Sequence, residues 1–266
     1  MKKMSSMILA LALVLSLAMT PARAEEKRTP EAALATMSTE EKVSQMLMPA
    51  FRWYPDGSGE RQSVTELPAD TASLLAKYGF AGVTLFAQNT GDTAKAARLV
   101  DDMQKANASA EGRTQLLIAI DQEGGRVTRL GHGTQMPGNM ALGAVNDTSL
   151  TGTAASIIGG ELMSMGINFN FAPVLDVNSN PANPVIGTRS FSDDPVIVAT
   201  QGVSYMKALQ ATGAISTLKH FPGHGDTATD SHTGLPLVDK SYVCSSDLAW
   251  QGVYYLCMPA AGRQVL

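Results

Sequence analysis

Residues 148–176 read TSLTGTAASIIGGELMSMGINFNFAPVLD, and the grammar of the chain is contained in them. Thr148 to Met165 has helical period, Gly166 stops it, and Phe169 to Leu175 is a short apolar run that gives way to Asp176. The run is continuous rather than alternating, as in a parallel strand covered on both faces. The same order of helix, glycine and strand recurs on either side. Ser38-Thr39-Glu40-Glu41 is a capping box that opens a helix before the run Gln45 to Phe51. Thr71 to Tyr78 stops at Gly79 ahead of Phe80 to Phe86, and Thr93 to Ala110 stops near Gly112 ahead of Leu116 to Ile120. Asp194 caps a helix with Pro195 in its first turn, and that helix ends at Gly213 before Ala214 to Lys219.

Strands alternating with helices predict an α/β architecture with a parallel sheet. Asp121, Asp176 and the pair Lys219-His220 all follow the C-terminal end of a run, the edge where ligand sites form in doubly wound sheets and in β/α barrels. A dinucleotide fold would place G-x-G-x-x-G directly after a strand, and neither Gly124-Gly125 nor Gly159-Gly160 has that spacing. The expectation is therefore a (β/α)8 TIM barrel over residues 25–240, incomplete in this chain, with about five of eight strands.

The chain of 266 residues is 44% hydrophobic and 17% charged, with a formal net charge of −4, which excludes a disordered chain. No basic stripe is present to meet a nucleic-acid backbone, so the expected partner is small and neutral. Lys2 and Lys3 precede the apolar stretch Met7 to Met19, and Ala22-Arg23-Ala24 offers small residues to a signal peptidase. Residues 1–24 thus read as a secretory signal peptide. The stretch is too short to span a bilayer, whose core takes about 20 residues. Cleavage leaves an exported protein, periplasmic or secreted, with no membrane span. Both cysteines, Cys244 and Cys257, lie in the last 26 residues, where composition shifts abruptly. A disulfide is one reading of such a pair in an exported protein. The other, preferred here, is that Val243 to Leu248 translates the end of a common sequencing adapter, making 241–266 a non-native tail.

The densest chemistry lies in Lys219-His220-Phe221-Pro222-Gly223-His224-Gly225-Asp226 and its continuation through Asp230-Ser231-His232. Three of the four histidines of the chain fall in these positions, on a Gly/Pro-rich loop after a buried run. Two readings stay open from the residues alone. His220, His224, Asp226 and His232 could ligate a metal, although Lys219 would bring a cation into that site and the spacing matches no helical zinc pattern. Alternatively the loop performs proton transfer, for which imidazole, with an unperturbed pKa of about 6.5, is suited.

KHFPGHGDTATDSH resembles the signature of the β-N-acetylhexosaminidase branch of glycoside hydrolase family 3, and DQEGGRV at 121–127 and IGTRSF at 186–191 resemble other motifs of that family, in the same order. The resemblance extends over 38–240. It implies a TIM barrel that removes terminal β-linked N-acetylglucosamine with retention of configuration, without a cofactor or metal. His232 carries over as general acid/base and Asp230 as its orienting partner, while Asp121, Arg129, Arg189, Lys219 and His220 carry over as substrate-binding residues. His132 and His224 match less specifically and are not assigned. Gly124-Gly125 would remove side chains that hinder close approach of the sugar. The nucleophile of a retaining hydrolase is a second carboxylate. In this family it follows a later barrel strand, and no residue here takes that role. The expected state is a fragment, and the 266-residue chain alone is expected not to turn over N-acetylglucosaminides. A β-glucosidase, a metal-dependent hydrolase and a non-catalytic sugar-binding protein are the competing readings.

Overall fold

A computed structural model describes residues 29–110, 113–238 and 264–265. The expected signal peptide and all but two residues of the expected tail, both cysteines included, lie outside the described residues. Two units are distinguished, residues 1–39 and 40–266. In the first, the described element is α1 (Pro30–Thr36), capped by Thr29, whose hydroxyl accepts from the Ala32 N–H at 3.3 Å. The second holds all but the first residue of α2 (Thr39–Ser44), then a hairpin of β1 (Trp53–Pro55) and β2 (Arg61–Ser63).

The body of this second unit alternates as the sequence predicts. α3 (Ala69–Tyr78) ends on Gly79 at φ 60° and leads into β3 (Gly82–Leu85). α4 (Thr93–Ala108) starts where the Asp92 carboxylate accepts from the Lys95 N–H. It buries Ala96, Leu99, Val100 and Met103, a stripe at helical spacing, and leads into β4 (Leu117–Ile120). A short α5 (Asn139–Val145) precedes α6 (Thr148–Ser164) and β5 (Phe169–Asn170), and α7 (Pro195–Ala211) is followed by β6 (Ile215–Ser216). β7 (Leu237–Val238) pairs antiparallel with β8 (Gln264–Val265).

β3 to β6 form one parallel sheet in sequence order. A doubly wound sheet reverses its strand order at a switch point, and none occurs among the described strands, so the arrangement follows the barrel pattern. Between the sheet and its helices lies a core that includes Leu75, Leu85, Leu99, Ile118, Ile158, Leu162 and Tyr205, all fully buried.

Four of the five expected runs supply the sheet strands. The first, Gln45 to Phe51, lies alongside β3, where Leu47 and Pro49 carbonyls accept from the Ala81 and Thr84 N–H groups, but it builds no strand ladder. Pro49 has no N–H to return, and a strand that cannot donate breaks its own pairing.

β5 is short because asparagine side chains replace part of its ladder. The amide of Asn168 accepts from Ile118 N–H and donates to Leu116 O, and that of Asn170 accepts from Gln122 N–H and donates to Gln122 O. The second pair prolongs strand-like order past Ile120 and sets the direction in which residues 121–123 leave the sheet.

Candidate active site

Three loops converge at the C-terminal edge of the sheet: 121–138 after β4, 171–194 after β5, and 217–236 after β6. The first is closed by Gln122, whose side-chain oxygen accepts from the Arg129 and Leu130 N–H groups at 2.7 and 3.3 Å. Gly124 and Gly125 both have positive φ, 90° and 56°. A Cβ at Gly125 would lie 2.6 Å from Gly138 Cα, and one at Gly124 would lie 2.8 Å from the Pro137 carbonyl. These glycines therefore serve a left-handed backbone and a loop-on-loop contact, a role the sequence reading did not foresee.

The second and third loops are stitched by Asn183. Its amide nitrogen donates to His224 O and Thr227 O at 2.7 and 2.9 Å, while its oxygen accepts from the Val185 and Ile186 N–H groups. Gly225 sits where a Cβ would lie 1.9 Å from Val177 O, so only glycine allows the two loops this separation.

Within this frame most of the expected binding residues meet, around one residue that sequence reasoning did not select. Glu123 has a side chain 2% exposed. Its two carboxylate oxygens accept from Arg189 Nη2 and Nε at 2.7 and 2.9 Å, a bidentate pair. The same carboxylate lies 2.7 Å from Lys219 Nζ, which also donates to Asp121 Oδ1 at 2.7 Å. Burial works against the Arg189 charge, yet the hydrogen bonds and the charge of Glu123 hold its pKa above the ordinary guanidinium value. Beneath the cluster lies the buried Tyr205, its phenol pushed up by burial and then by the Glu123 charge, and so neutral.

Asp176 is the second unselected carboxylate, although its place at the end of a run was visible. It is wholly buried and accepts three N–H groups from the 219–232 loop: His220 Nδ1 at 2.6 Å, His224 N at 2.6 Å and His220 N at 3.3 Å. Across the ring, His220 Nε2 is 3.3 Å from Arg189 Nη2. Asp121, Arg189, Lys219 and His220 thus form one hydrogen-bonded group with Glu123 and Asp176. Arg129 is not tied into it by any hydrogen bond of its side chain, and its Nε is buried without a partner among the described residues. His224, which the sequence left unassigned, is buried and hydrogen-bonded to Thr227.

At the far end of the loop His232 and Asp230 do meet. His232 Nδ1 is 2.7 Å from Asp230 Oδ1, and the same oxygen accepts the His232 N–H at 2.8 Å, so the local turn that brings them together also supplies a hydrogen bond. The His232 side chain is 77% exposed. Asp230 is held below the usual carboxylate range, first by the backbone N–H of His232 and then by its ring. A carboxylate on Nδ1 leaves Nε2 facing solvent as the atom that can give or take a proton.

An open cleft of about 590 Å³, lined by residues including Met140, Asn178, Phe191 and Ile197, contains none of these groups. Among the described residues no cluster of three metal-ligating side chains is found, and no helix is long and apolar enough to cross a membrane.

Residues 38–247 match the family described as glycosyl hydrolase family 3 N-terminal domain. The chain is 46% identical over 220 residues to β-hexosaminidase A of Pseudoalteromonas piscicida, covering 78% of this chain and 36% of that protein. It is 36% identical over 181 residues to the β-hexosaminidase of Psychromonas ingrahamii, covering 66% of this chain and 52% of that one. Among solved structures, a family 3 β-N-acetylglucosaminidase from Paenibacillus sp. FPU-7 superposes with a TM-score of 0.69 at 43% identity, covering 75% of this chain and 36% of that chain. NagZ from Neisseria gonorrhoeae, in complex with N-trifluoroacetyl-D-glucosamine, gives 0.61 at 30% identity, covering 71% and 53%. The chain therefore spans about a third to a half of the length of these relatives.

Proposed function

The chain belongs to glycosyl hydrolase family 3, and from that premise we propose that the protein removes terminal β-linked N-acetylglucosamine by the two-step, retaining route. The observation that carries the proposal is the 219–232 loop. One end is bonded into a cluster of directional polar groups, and the other presents an imidazole oriented by a carboxylate, so sugar recognition and proton transfer share a single segment. His232 would protonate the leaving oxygen through Nε2 and later take a proton from water. Asp121, Arg129, Arg189, Lys219 and His220 would bind the sugar, which presents hydroxyls and an acetamide rather than charge. The relatives named as β-hexosaminidases, and the NagZ complex with an N-acylated glucosamine, support the substrate class.

In protein extended to the length of these relatives, the 4-nitrophenyl N-acetyl-β-glucosaminide should be hydrolysed well ahead of the matching β-glucoside. Equal or faster turnover of the glucoside would replace this reading with the glucosidase one. Chelation should leave the rate unchanged, because the Lys219 ammonium already lies 2.7 Å from both Asp121 and Glu123, where a cation would otherwise sit. Loss with EDTA and recovery with zinc would favour the metal-dependent hydrolase. Export is part of the proposal, supported by Lys2-Lys3, the apolar stretch and Ala22-Arg23-Ala24. Its check is N-terminal sequencing of the exported protein, expected to begin at Glu25; a retained Met1 would contradict it.

A further inference from the structure

We propose that Asp176 is a positioning residue that fixes the polarity of His220, so that the ring nitrogen facing the ligand accepts a hydrogen bond and cannot donate one. This inference rests on the carbohydrate reading and adds to it which partner the site demands at that point. An ionised carboxylate can only accept, and Asp176 is buried with Oδ2 at 2.6 Å from His220 Nδ1, so the proton of the ring lies on Nδ1. A guanidinium can only donate, and Arg189 Nη2 lies 3.3 Å from Nε2, so the lone pair lies on Nε2. Both neighbours are themselves held: Asp176 by the His220 and His224 N–H groups, Arg189 by the bidentate contact with Glu123. Neither can turn to present the opposite polarity.

The His220 side chain is 31% exposed, so a ligand can reach it. The hydrogen bond between Nη2 and Nε2 is at the long end of the range, so a ligand oxygen beside the pair would compete for it and engage both nitrogens. It would accept from Arg189 and donate to His220. A hydroxyl does both, whereas fluorine in its place accepts weakly and donates nothing. The predicted specificity is therefore for a free hydroxyl at one ring position, read through the pair Arg189 and His220 and set by Asp176.

The test uses ¹⁵N-labelled protein extended to the length of the relatives, with the His220 ring signals assigned by their loss in His220→Gln. The expected spectrum has a protonated Nδ1 and a bare Nε2. N-acetylglucosamine and its 3-, 4- and 6-deoxyfluoro analogues are then titrated, and one analogue should bind about tenfold more weakly than the parent, the worth of a single well-placed hydrogen bond. In Asp176→Asn the amide can donate to Nδ1, the ring can move its proton to Nε2, and the penalty on that analogue should shrink to about twofold. Asp176→Glu, which keeps the acceptor, should preserve the tautomer. A proton on Nε2 in the wild type, or equal affinity for all four sugars, overturns the proposal even if Asp176→Asn fails to fold. If the tautomer is as expected but N-acetylglucosamine does not bind, the carbohydrate reading falls and takes the hydroxyl specificity with it. A reversed tautomer in a chain that binds the sugar refutes the role of Asp176 alone.

Discussion

Replacing His232 with alanine should lower turnover by about 10²–10⁴-fold on an N-acetyl-β-glucosaminide with a poor leaving group, in protein extended to the length of the relatives. The loss should be markedly smaller with a nitrophenolate, which departs without a proton. That contrast separates a general acid from a residue that merely shapes the site, since a structural defect would slow both substrates equally. The pH profile adds a second reading. Asp230 is held below the usual carboxylate range, so its contact with His232 is present above that lowered value and is lost only as the pH falls through it. Across the range where an imidazole titrates, the carboxylate is ionised. Turnover should therefore hold down to the lowered range of Asp230 and fall as that carboxylate is protonated and its contact with His232 is lost. Equal losses on both substrates would remove His232 from the chemistry.

The alternation of helix, glycine and strand was legible because each signal is local. Gly79, Gly166 and Gly213 take positive φ at helix ends, and Asp92 and Asp194 cap the helices that follow them. The strand expected at Gln45 to Phe51 did not form because hydrophobicity alone does not register the missing N–H of Pro49. In the site, Asp230, His232, Asp121, Arg189, Lys219 and His220 were found through the motif, and all six are held by side-chain pairs separated by two residues or by more than thirty. Glu123 and Asp176 escaped for a common reason. A buried carboxylate is chosen by what faces it from another loop, and Arg189 lies 66 residues from Glu123 while His220 lies 44 from Asp176. A partial signal was available for Glu123. In extended backbone, residues two apart share a side, which places it with Asp121.

Substituting Glu123 should give the largest loss of stability of any single change at the site. Its side chain is 2% exposed and its partners Arg189 and Lys219 are 12% and 11% exposed, so removing the carboxylate takes a partner from two nearly buried cations. Breaking one side of a buried ion pair typically costs about 3–5 kcal/mol. For a domain of this size that corresponds to a melting temperature lower by about 6–20 °C, with Glu123→Gln as the test. Lys219 keeps Asp121, but Arg189 has no second carboxylate in hydrogen-bond contact among the described residues. Asp121→Asn, at a side chain 23% exposed, should cost much less. Replacing Glu123 and Arg189 together by methionine removes both buried charges and should restore part of the stability. Sugar binding should not return in the double variant, because the donors that face the ligand are gone. A Glu123→Gln melting temperature within about 2 °C of the wild type would show that the pair is not the anchor of the loops, and recovery of binding in the double variant would show that Arg189 does not contact the sugar.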